Sequence, residues 1–225
     1  MFGGAQKVGV MGIFNEGVPR DHVDWMRRTF GLGHFVETGT YHGDTAAWAA
    51  GLFGQVTTIE AQPALHRQAK ERHAGTANID FRLGDTRTVL SDLVPTLTSP
   101  ALFWLDAHWS ALDTAGEGDE CPVLEELAII NASPLPHVVL VDDARCFLAP
   151  PHVPHDPAQW PDIVTLYKAL QADKRRYACT GFDVVFGIPA EHAATFIEDW
   201  RRNRASKQKI KRRKTLGQHL RKLIG

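Results

Sequence analysis

Acidic residues and a histidine follow two short apolar runs in the middle of the sequence. Asp106 and His108 come at the end of ALFWLD, and Asp142 and Asp143 close HVVLVDD. If both runs are parallel strands, their carboxyl ends meet at one edge of the sheet, where such sheets bind ligands. Three carboxylates there would repel one another unless a cation lay between them. Hard oxygen ligands favour magnesium, with manganese or calcium as alternatives, so the three aspartates are predicted metal ligands.

A second set of residues surrounds a glycine-containing turn nearer the N-terminus. Glu37, Gly39, Gly43 and Thr45 form the pattern E-x-G-x-x-x-G-x-T. This spacing differs from the G-x-G-x-x-G fingerprint that brings pyrophosphate to a helix N-terminus, and a leading carboxylate would repel pyrophosphate. The carboxylate instead suits a ligand that carries an ammonium group.

A sheet flanked by helices is needed to bring these two sets of residues together. Short apolar runs alternate with helical patterns, which is typical of a parallel sheet with helices on both faces. Beyond Arg145, a proline-rich stretch predicts a surface loop at the mouth of a site. The predicted strands are 34–38, 55–60, 78–84, 101–106 and 137–143, followed by a terminal hairpin in 177–189.

The turn at 37–45 resembles motif I of the class I S-adenosylmethionine-dependent methyltransferases, especially the small catechol O-methyltransferase-like enzymes. The resemblance implies a Rossmann-like α/β fold with a mostly parallel, seven-stranded sheet. It also implies that Glu60 binds both ribose hydroxyls. Asp85 would contact the adenine amino group or, equally, cap the next helix. The cofactor-binding residues implied in this way are Glu37, Gly39, Thr40, Gly43, Thr45, Glu60, Asp85 and Asp106.

The same resemblance implies metal-assisted chemistry at Asp106, Asp142 and Asp143. The metal would bind the acceptor hydroxyl, lower its pKa and hold the oxyanion in line with the methyl group. Asp106 and His108 are the predicted catalytic residues. His108 lies close to where related sugar and macrolide O-methyltransferases place an aspartate base, and the alternatives are a metal ligand or a partly buried polar residue. Arg145 could pair with a site carboxylate or reach an acidic acceptor.

Composition bounds the remaining expectations. The 225 residues suit a single domain, predicted over 1–205 with its core at about 30–190. Although the net charge is only -1, residues 201–225 contain eleven of the 25 lysines and arginines and no acidic residue. The segment 206–225 is therefore predicted to be a basic helical tail, which could pack, remain solvated, or bind a membrane surface, a partner or nucleic acid. Three widely spaced cysteines argue against a disulfide framework.

The sequence predicts a cytoplasmic S-adenosylmethionine-dependent O-methyltransferase, assisted by Mg²⁺ or by Mn²⁺ or Ca²⁺. The expected acceptor is a saccharide or a glycosylated or phenolic small metabolite, and a homo-oligomer is compatible with the sequence. One alternative is an RNA-directed methyltransferase that uses the basic tail, although the acidic body makes nucleic acid the less expected partner. The other is a methyltransferase-like binding protein without turnover.

Overall fold

The computed structural model of the protein describes residues 17–109, 116, 118–172 and 174–202. The chain divides into two compact units, Met1–Pro189 and Ala190–Gly225. The second unit begins with a 3₁₀ turn, Ala190–His192, and continues as a helix over 193–202. The predicted domain boundary at 205/206 and the basic tail lie outside the described residues.

Seven strands form one sheet in the first unit. Their order is β3-β2-β1-β4-β5-β7-β6, and the pairs are parallel except those that involve β7. The predicted seven-stranded, mostly parallel sheet is confirmed. The strands are β1 His34–Thr38, β2 Gln55–Glu60, β3 Ile79–Leu83, β4 Ala101–Leu105, β5 Val138–Val141, β6 Arg176–Gly181 and β7 Val184–Pro189.

Helices cover both faces of this sheet because successive side chains of each strand point to opposite sides. On β1, Phe35 contacts Trp48 and Phe53, whereas its neighbour Val36 joins the cluster that contains Leu90 and Leu127. The two central strands, β1 and β4, are buried throughout, as a sheet covered on both faces requires. The helices are α1 Arg20–Phe30, α2 Asp44–Ala50, α3 Pro63–Arg72, α4 Thr86–Leu93, α5 Val123–Asn131, α6 Ala144–Leu148 and α7 Ile163–Ala172.

The carboxyl ends of β1, β2, β4 and β5 lie along one edge of the sheet, and this arrangement positions the site. Strand β1 pairs with β2 on one side and with β4 on the other, and β4 pairs with β5. Residues that follow these four strands are thus neighbours in space although they lie up to a hundred positions apart in sequence. Within the described residues, no helix has both the length and the apolar character needed to cross a membrane.

Candidate functional site

A cavity of about 310 Å³ opens at this edge of the sheet. Five of the predicted site residues lie on its wall, and they come from the ends of β1, β2, β3 and β4. Other wall residues, which the sequence did not single out, include Tyr41, Arg87 and Asp119. The predicted residues on the wall are Gly39, Glu60, Asp85, Asp106 and His108.

The glycines of the turn after β1 make room for protein atoms. Gly39 has φ +84°, and a Cβ built there would lie 2.3 Å from the carbonyl oxygen of Asp106. Gly43 has φ +76°, and its Cβ would lie 2.9 Å from the ring of His73 on the loop after α3. The two glycines allow the turn to pack against the residues that follow β4 and against the end of α3, and Gly39 lies on the cavity wall.

Glu60 presents a fixed carboxylate to the cavity. The backbone N–H of Tyr41 donates to Oε2 and that of Gln62 donates to Oε1, each at 2.9 Å. The residue is only 7% exposed, so its carboxylate has little freedom to turn. Each carboxylate oxygen can accept more than one hydrogen bond. Glu60 can therefore still accept hydrogen bonds from a diol in the cavity.

Glu37, Thr40 and Thr45 lie behind the wall in a buried hydrogen-bonded group. Thr58 Oγ1 donates to Glu37 Oε2 at 2.6 Å and also contacts Thr40 Oγ1 at 2.6 Å, while Thr45 bonds to Glu37 as well. Burial raises the pKa of Glu37 to about 8, opposed by these hydrogen bonds and reinforced by the charge of Asp106. The raised pKa favours the protonated form of Glu37, and its contact with an ammonium group stays a prediction.

Asp85 caps helix α4. Its Oδ1 accepts from the N–H groups of Arg87 and Thr88, at 2.9 and 3.4 Å, and these contacts match one of its two predicted roles. The Arg87 guanidinium pairs with Asp85 at 2.6 Å and with Asp119 at 2.7 Å, so it ties two parts of the cavity wall together. Asp85 also faces the cavity, and its contact with adenine stays a prediction.

The three predicted metal ligands, Asp106, Asp142 and Asp143, come together as expected; we call them the acidic cluster. The ring of His108 lies between two of them, with Nδ1 3.4 Å from Asp106 Oδ1 and Nε2 3.0 Å from Asp143 Oδ2. Arg145 Nη1 lies 2.6 Å from the other oxygen of Asp143. The expectation that Arg145 pairs with a site carboxylate thus agrees with the structure.

Burial and mutual repulsion shift the protonation of the acidic cluster. Burial, with the charges of Asp106 and Asp143, raises the pKa of Asp142 to about 8. Burial likewise raises the pKa of Asp106 to about 6, although His108 opposes the shift. Burial would also raise the pKa of Asp143, but His108 and Arg145 outweigh it and hold that pKa below the usual value. Asp143 differs from the other two in that each of its carboxylate oxygens pairs with a basic side chain, His108 or Arg145.

His108 is held in its protonated form by the same carboxylates. Burial disfavours the imidazolium, but the hydrogen bond to Asp143 and the charges of Asp106 and Asp142 outweigh burial and raise the pKa to about 9. The sequence predicted a base that works near neutral pH. The raised pKa favours the imidazolium form, and the role of His108 as a base stays a prediction.

Glu126 of α5 is buried, although a helical pattern more often leaves a glutamate exposed. The residue is 1% exposed and faces a small cavity of about 10 Å³ that His108 and Asp142 also line. Burial raises its pKa to about 7, against hydrogen bonds from Thr86 and Thr38. The packing of α5 against α4 decides which of its two adjacent glutamates faces inward.

Glu120 anchors the proline-rich loop that follows α6. Its carboxylate accepts from the backbone N–H of Asp156 at 3.0 Å and from Trp160 Nε1 at 2.7 Å, and it contacts His155 Nδ1 at 3.0 Å. These contacts bury Trp160 5.5 Å from the His108 ring. Only 9% of the His155 side chain is exposed, because Glu120 and Trp160 cover it, whereas His152 is exposed.

The acidic cluster fits a divalent ion poorly. Both oxygens of Asp143 are already paired with cationic side chains, and His108 lies between Asp143 and Asp106. Across the described residues, no three His, Cys, Asp or Glu side chains form a group arranged to hold a metal ion. The magnesium site stays a prediction from sequence.

Comparison with solved structures agrees with this architecture. The O-methyltransferase TomG from Streptomyces achromogenes, which is involved in tomaymycin synthesis, has a TM-score of 0.54 and 17% identity over 78% of this chain and 82% of that one. An O-methyltransferase from Bacillus cereus has a TM-score of 0.55 and 19% identity over 77% and 82%. The amino pentose methyltransferase CalS10 from Micromonospora echinaspora has 0.51 and 13% over 76% and 89%.

The fold is that of the class I methyltransferases. No protein-family model matches the sequence, and a comparison with curated proteins finds no relative. At sequence identities of 13–19%, the similarity to these structures shows a shared fold and does not show a shared activity. The activity must therefore be argued from the cavity and its side chains.

Proposed function

We propose that this protein is an S-adenosylmethionine-dependent O-methyltransferase that acts on a hydroxyl group of a small metabolite. The observation that carries the proposal is Glu60, whose carboxylate is fixed by two backbone N–H groups on the wall of a cavity at the ligand-binding edge of the sheet. A ribose edge offers two hydroxyl donors to such a carboxylate. The O-methyltransferases that share the fold give independent support.

The cavity residues have distinct tasks in this proposal. S-adenosylmethionine, when bound, supplies an electrophilic methyl group on a sulfonium. Glu60 holds the ribose, and Gly39 keeps the turn against Asp106 so that both ends of the cavity have fixed positions. Asp106, a member of the acidic cluster, and His108 lie on the same cavity wall, and we place the acceptor hydroxyl beside them, where it would meet the methyl group. His108 in its neutral form is the proposed proton acceptor.

The proposed acceptor is a saccharide or a glycosylated or phenolic metabolite. Aromatic rings extend from His108 through Trp160 and His155 to Trp109, with neighbouring ring centroids 5.4 to 5.6 Å apart. Trp160 and His155 are largely buried and His108 lies on the cavity wall, so this row would support the acceptor end of the site from behind. The side chains of Asp106 and His108 on the wall offer hydrogen-bond partners to the hydroxyls of a sugar or a phenol. The alternative of RNA methylation was based on the basic tail, which lies outside the described residues. The described residues therefore do not favour it.

The first experiment measures binding of S-adenosylhomocysteine by calorimetry. The wild-type protein should bind it, and Glu60→Gln should weaken binding at least about tenfold because a charged hydrogen-bond acceptor is worth about 1.5–3 kcal/mol. Glu71→Gln is the matched control, since Glu71 is an exposed glutamate on α3. An unchanged affinity in Glu60→Gln would remove the observation on which the proposal depends.

The second experiment follows transfer of a labelled methyl group to a panel of saccharides, phenols and RNA. We expect His108→Gln to lower turnover about a hundredfold, the usual contribution of a general base, without changing cofactor affinity. Cofactor binding without transfer to any hydroxyl would indicate the binding protein without turnover. Transfer to RNA alone would contradict the small-metabolite acceptor.

A further inference from the structure

Five side chains of alternating charge form a continuous row at the carboxyl ends of β4 and β5. The row runs through Asp106, His108, Asp143, Arg145 and Asp183, and we call it the charge row. Four neighbouring ion pairs join it: His108 to Asp106 and to Asp143, and Arg145 to Asp143 and to Asp183. Arg145, and His108 when it is protonated, thereby offset part of the negative charge of Asp106 and Asp143.

Asp183 is the end of the row that the sequence did not reveal. It occupies the two-residue turn between β6 and β7, where Phe182 and Asp183 have φ +56° and +63°. Positive φ at both positions is what a tight hairpin of this kind requires. The turn points Asp183 at the start of α6: its carbonyl accepts from Ala144 N at 2.8 Å and its Oδ1 from Arg145 N at 2.9 Å.

Arg145 is consequently held between two carboxylates, both of which pair with its Nη1. Its guanidinium pairs with Asp183 Oδ2 as well as with Asp143, and only 5% of the Asp183 side chain is exposed. A guanidinium stays charged at every pH that the protein meets. Its positive charge therefore reaches Asp143 under all conditions, in the region where a divalent ion would have to bind.

We propose that Arg145, held in place by Asp183, is the resident cation of the acidic cluster and supplies the charge neutralisation that a divalent ion would otherwise provide there. The site then has no need to recruit a metal. Asp183 is a positioning residue, since it acts on the cluster only through Arg145. The inference rests on the proposed function for its consequence in catalysis, while its consequence for ion binding is independent of that function.

The direct test is titration with Mn²⁺, followed by the electron paramagnetic resonance signal of the free ion, on the full chain. The wild-type protein should bind Mn²⁺ with a Kd above about 1 mM. Arg145→Gln should bind at least about tenfold more tightly, because it removes a unit charge a few ångströms from the carboxylates. Arg145→Lys keeps the charge and should restore weak binding.

Two further variants separate the charge row from general effects on folding. Asp183→Asn retains the positive-φ turn, since Asn tolerates that conformation, and should tighten Mn²⁺ binding about threefold by loosening Arg145. Arg72→Gln removes an exposed arginine that pairs with Asp44 at 2.9 Å, and should leave Mn²⁺ affinity unchanged. Wild-type binding in the micromolar range that is lost in Asp143→Asn, or no gain of affinity in Arg145→Gln, would overturn the proposal.

The catalytic consequence is tested with a chelator. Methyl transfer by the wild-type protein should continue unchanged in EDTA, whereas Arg145→Gln should lower kcat about tenfold, with little change in the KM for S-adenosylmethionine, and regain activity when Mn²⁺ is added. Loss of wild-type turnover in EDTA would overturn the inference. If S-adenosylhomocysteine does not bind at all, the proposed function fails, and the Mn²⁺ titration still decides the role of Arg145.

Discussion

The two halves of the site fix their carboxylates by different means. At the ends of β1 and β2, Glu60 is held by backbone N–H groups from segments close to it, and the turn at Gly39 packs against backbone. At the ends of β4 and β5, Asp106 and Asp143 are held by His108, and Asp143 also by Arg145, which Asp183 holds in turn, although Asp142 accepts the backbone N–H of Asp143. The first half depends on chain geometry and the second on charge, so substitutions should affect them differently.

The largest expected effect is in the first half, from Gly39→Ala. An alanine there combines an unfavourable positive φ with a Cβ 2.3 Å from backbone, and the unfolding free energy should fall by about 3 kcal/mol. Gly31→Ala is the matched control, because its φ is +66° but nothing lies within 4 Å of the added atom. That variant should lose only about 1 kcal/mol.

Urea denaturation of the two variants measures the difference. Equal losses would mean that the contact with Asp106 relaxes easily and that the turn is no more rigid than an ordinary helix end. In that case the contrast between the two halves of the site would disappear.

The second largest effect is expected from Glu120→Gln, which alters the carboxylate that anchors the proline-rich loop. In Glu120→Gln an amide replaces a carboxylate that accepts hydrogen bonds from the loop 152–160, and its own N–H groups face donors. A lost charged hydrogen bond costs about 1.5–3 kcal/mol, so amide exchange in this loop should accelerate about thirtyfold. The exposed Glu125→Gln is the control, and equal protection in both variants would show that other contacts hold the loop.

The same contrast explains what could be predicted from sequence. Strands β1 and β2 were predicted with their observed bounds because each is a continuous run of strand-forming residues between turn signals. The meeting of Asp106, Asp142 and Asp143 followed from the sheet, since parallel strands share an edge. The positions of Gly39 and Glu60 on the cavity wall could be predicted in the same way, from the shared edge of the parallel strands and from the turn after β1.

The contacts that sequence could not predict join side chains brought together by folding. Asp183 lies 38 positions from Arg145, and Glu120 lies 40 positions from Trp160, with no repeated pattern between the partners. The burial of Glu126 depends on how α5 is rotated against α4. The raised pKa of Glu37 depends on its full burial, which no local sequence pattern specifies.

A pH-dependent effect should distinguish Glu37 from the acidic cluster. Its pKa of about 8 lies above the ordinary value of 4.5, so its protonated form stabilises the fold fully below about pH 4.5, and this stabilisation is lost as the pH rises towards 8. Glu37→Gln mimics the protonated form. It should match the wild type at pH 4.5 and exceed it at pH 8 by about 1 kcal/mol or more.

Urea denaturation at pH 4.5, 6.5 and 8 measures this difference, with the exposed Glu71→Gln as the control for loss of a surface charge. If the stability of Glu37→Gln falls with pH as steeply as that of the wild type, Glu37 is ionised in the folded protein. The predicted contact with the ammonium group of the cofactor would then gain support, and Glu37→Gln should also weaken cofactor binding.

The smallest effect is expected at Arg87, which ties Asp85 to Asp119 across the cavity wall. The pair with Asp119 spans 2.7 Å, but 34% of the Arg87 side chain and 57% of the Asp119 side chain are exposed. Exposed ion pairs contribute about 0–1 kcal/mol and are screened by salt. Asp119→Asn should therefore speed dissociation of S-adenosylhomocysteine by no more than about threefold at low salt, with Asp92→Asn as an exposed control. A more than about tenfold faster dissociation that persists in 0.5 M salt would show that charge also controls the half of the site at β1 and β2, because a screened surface pair cannot produce it.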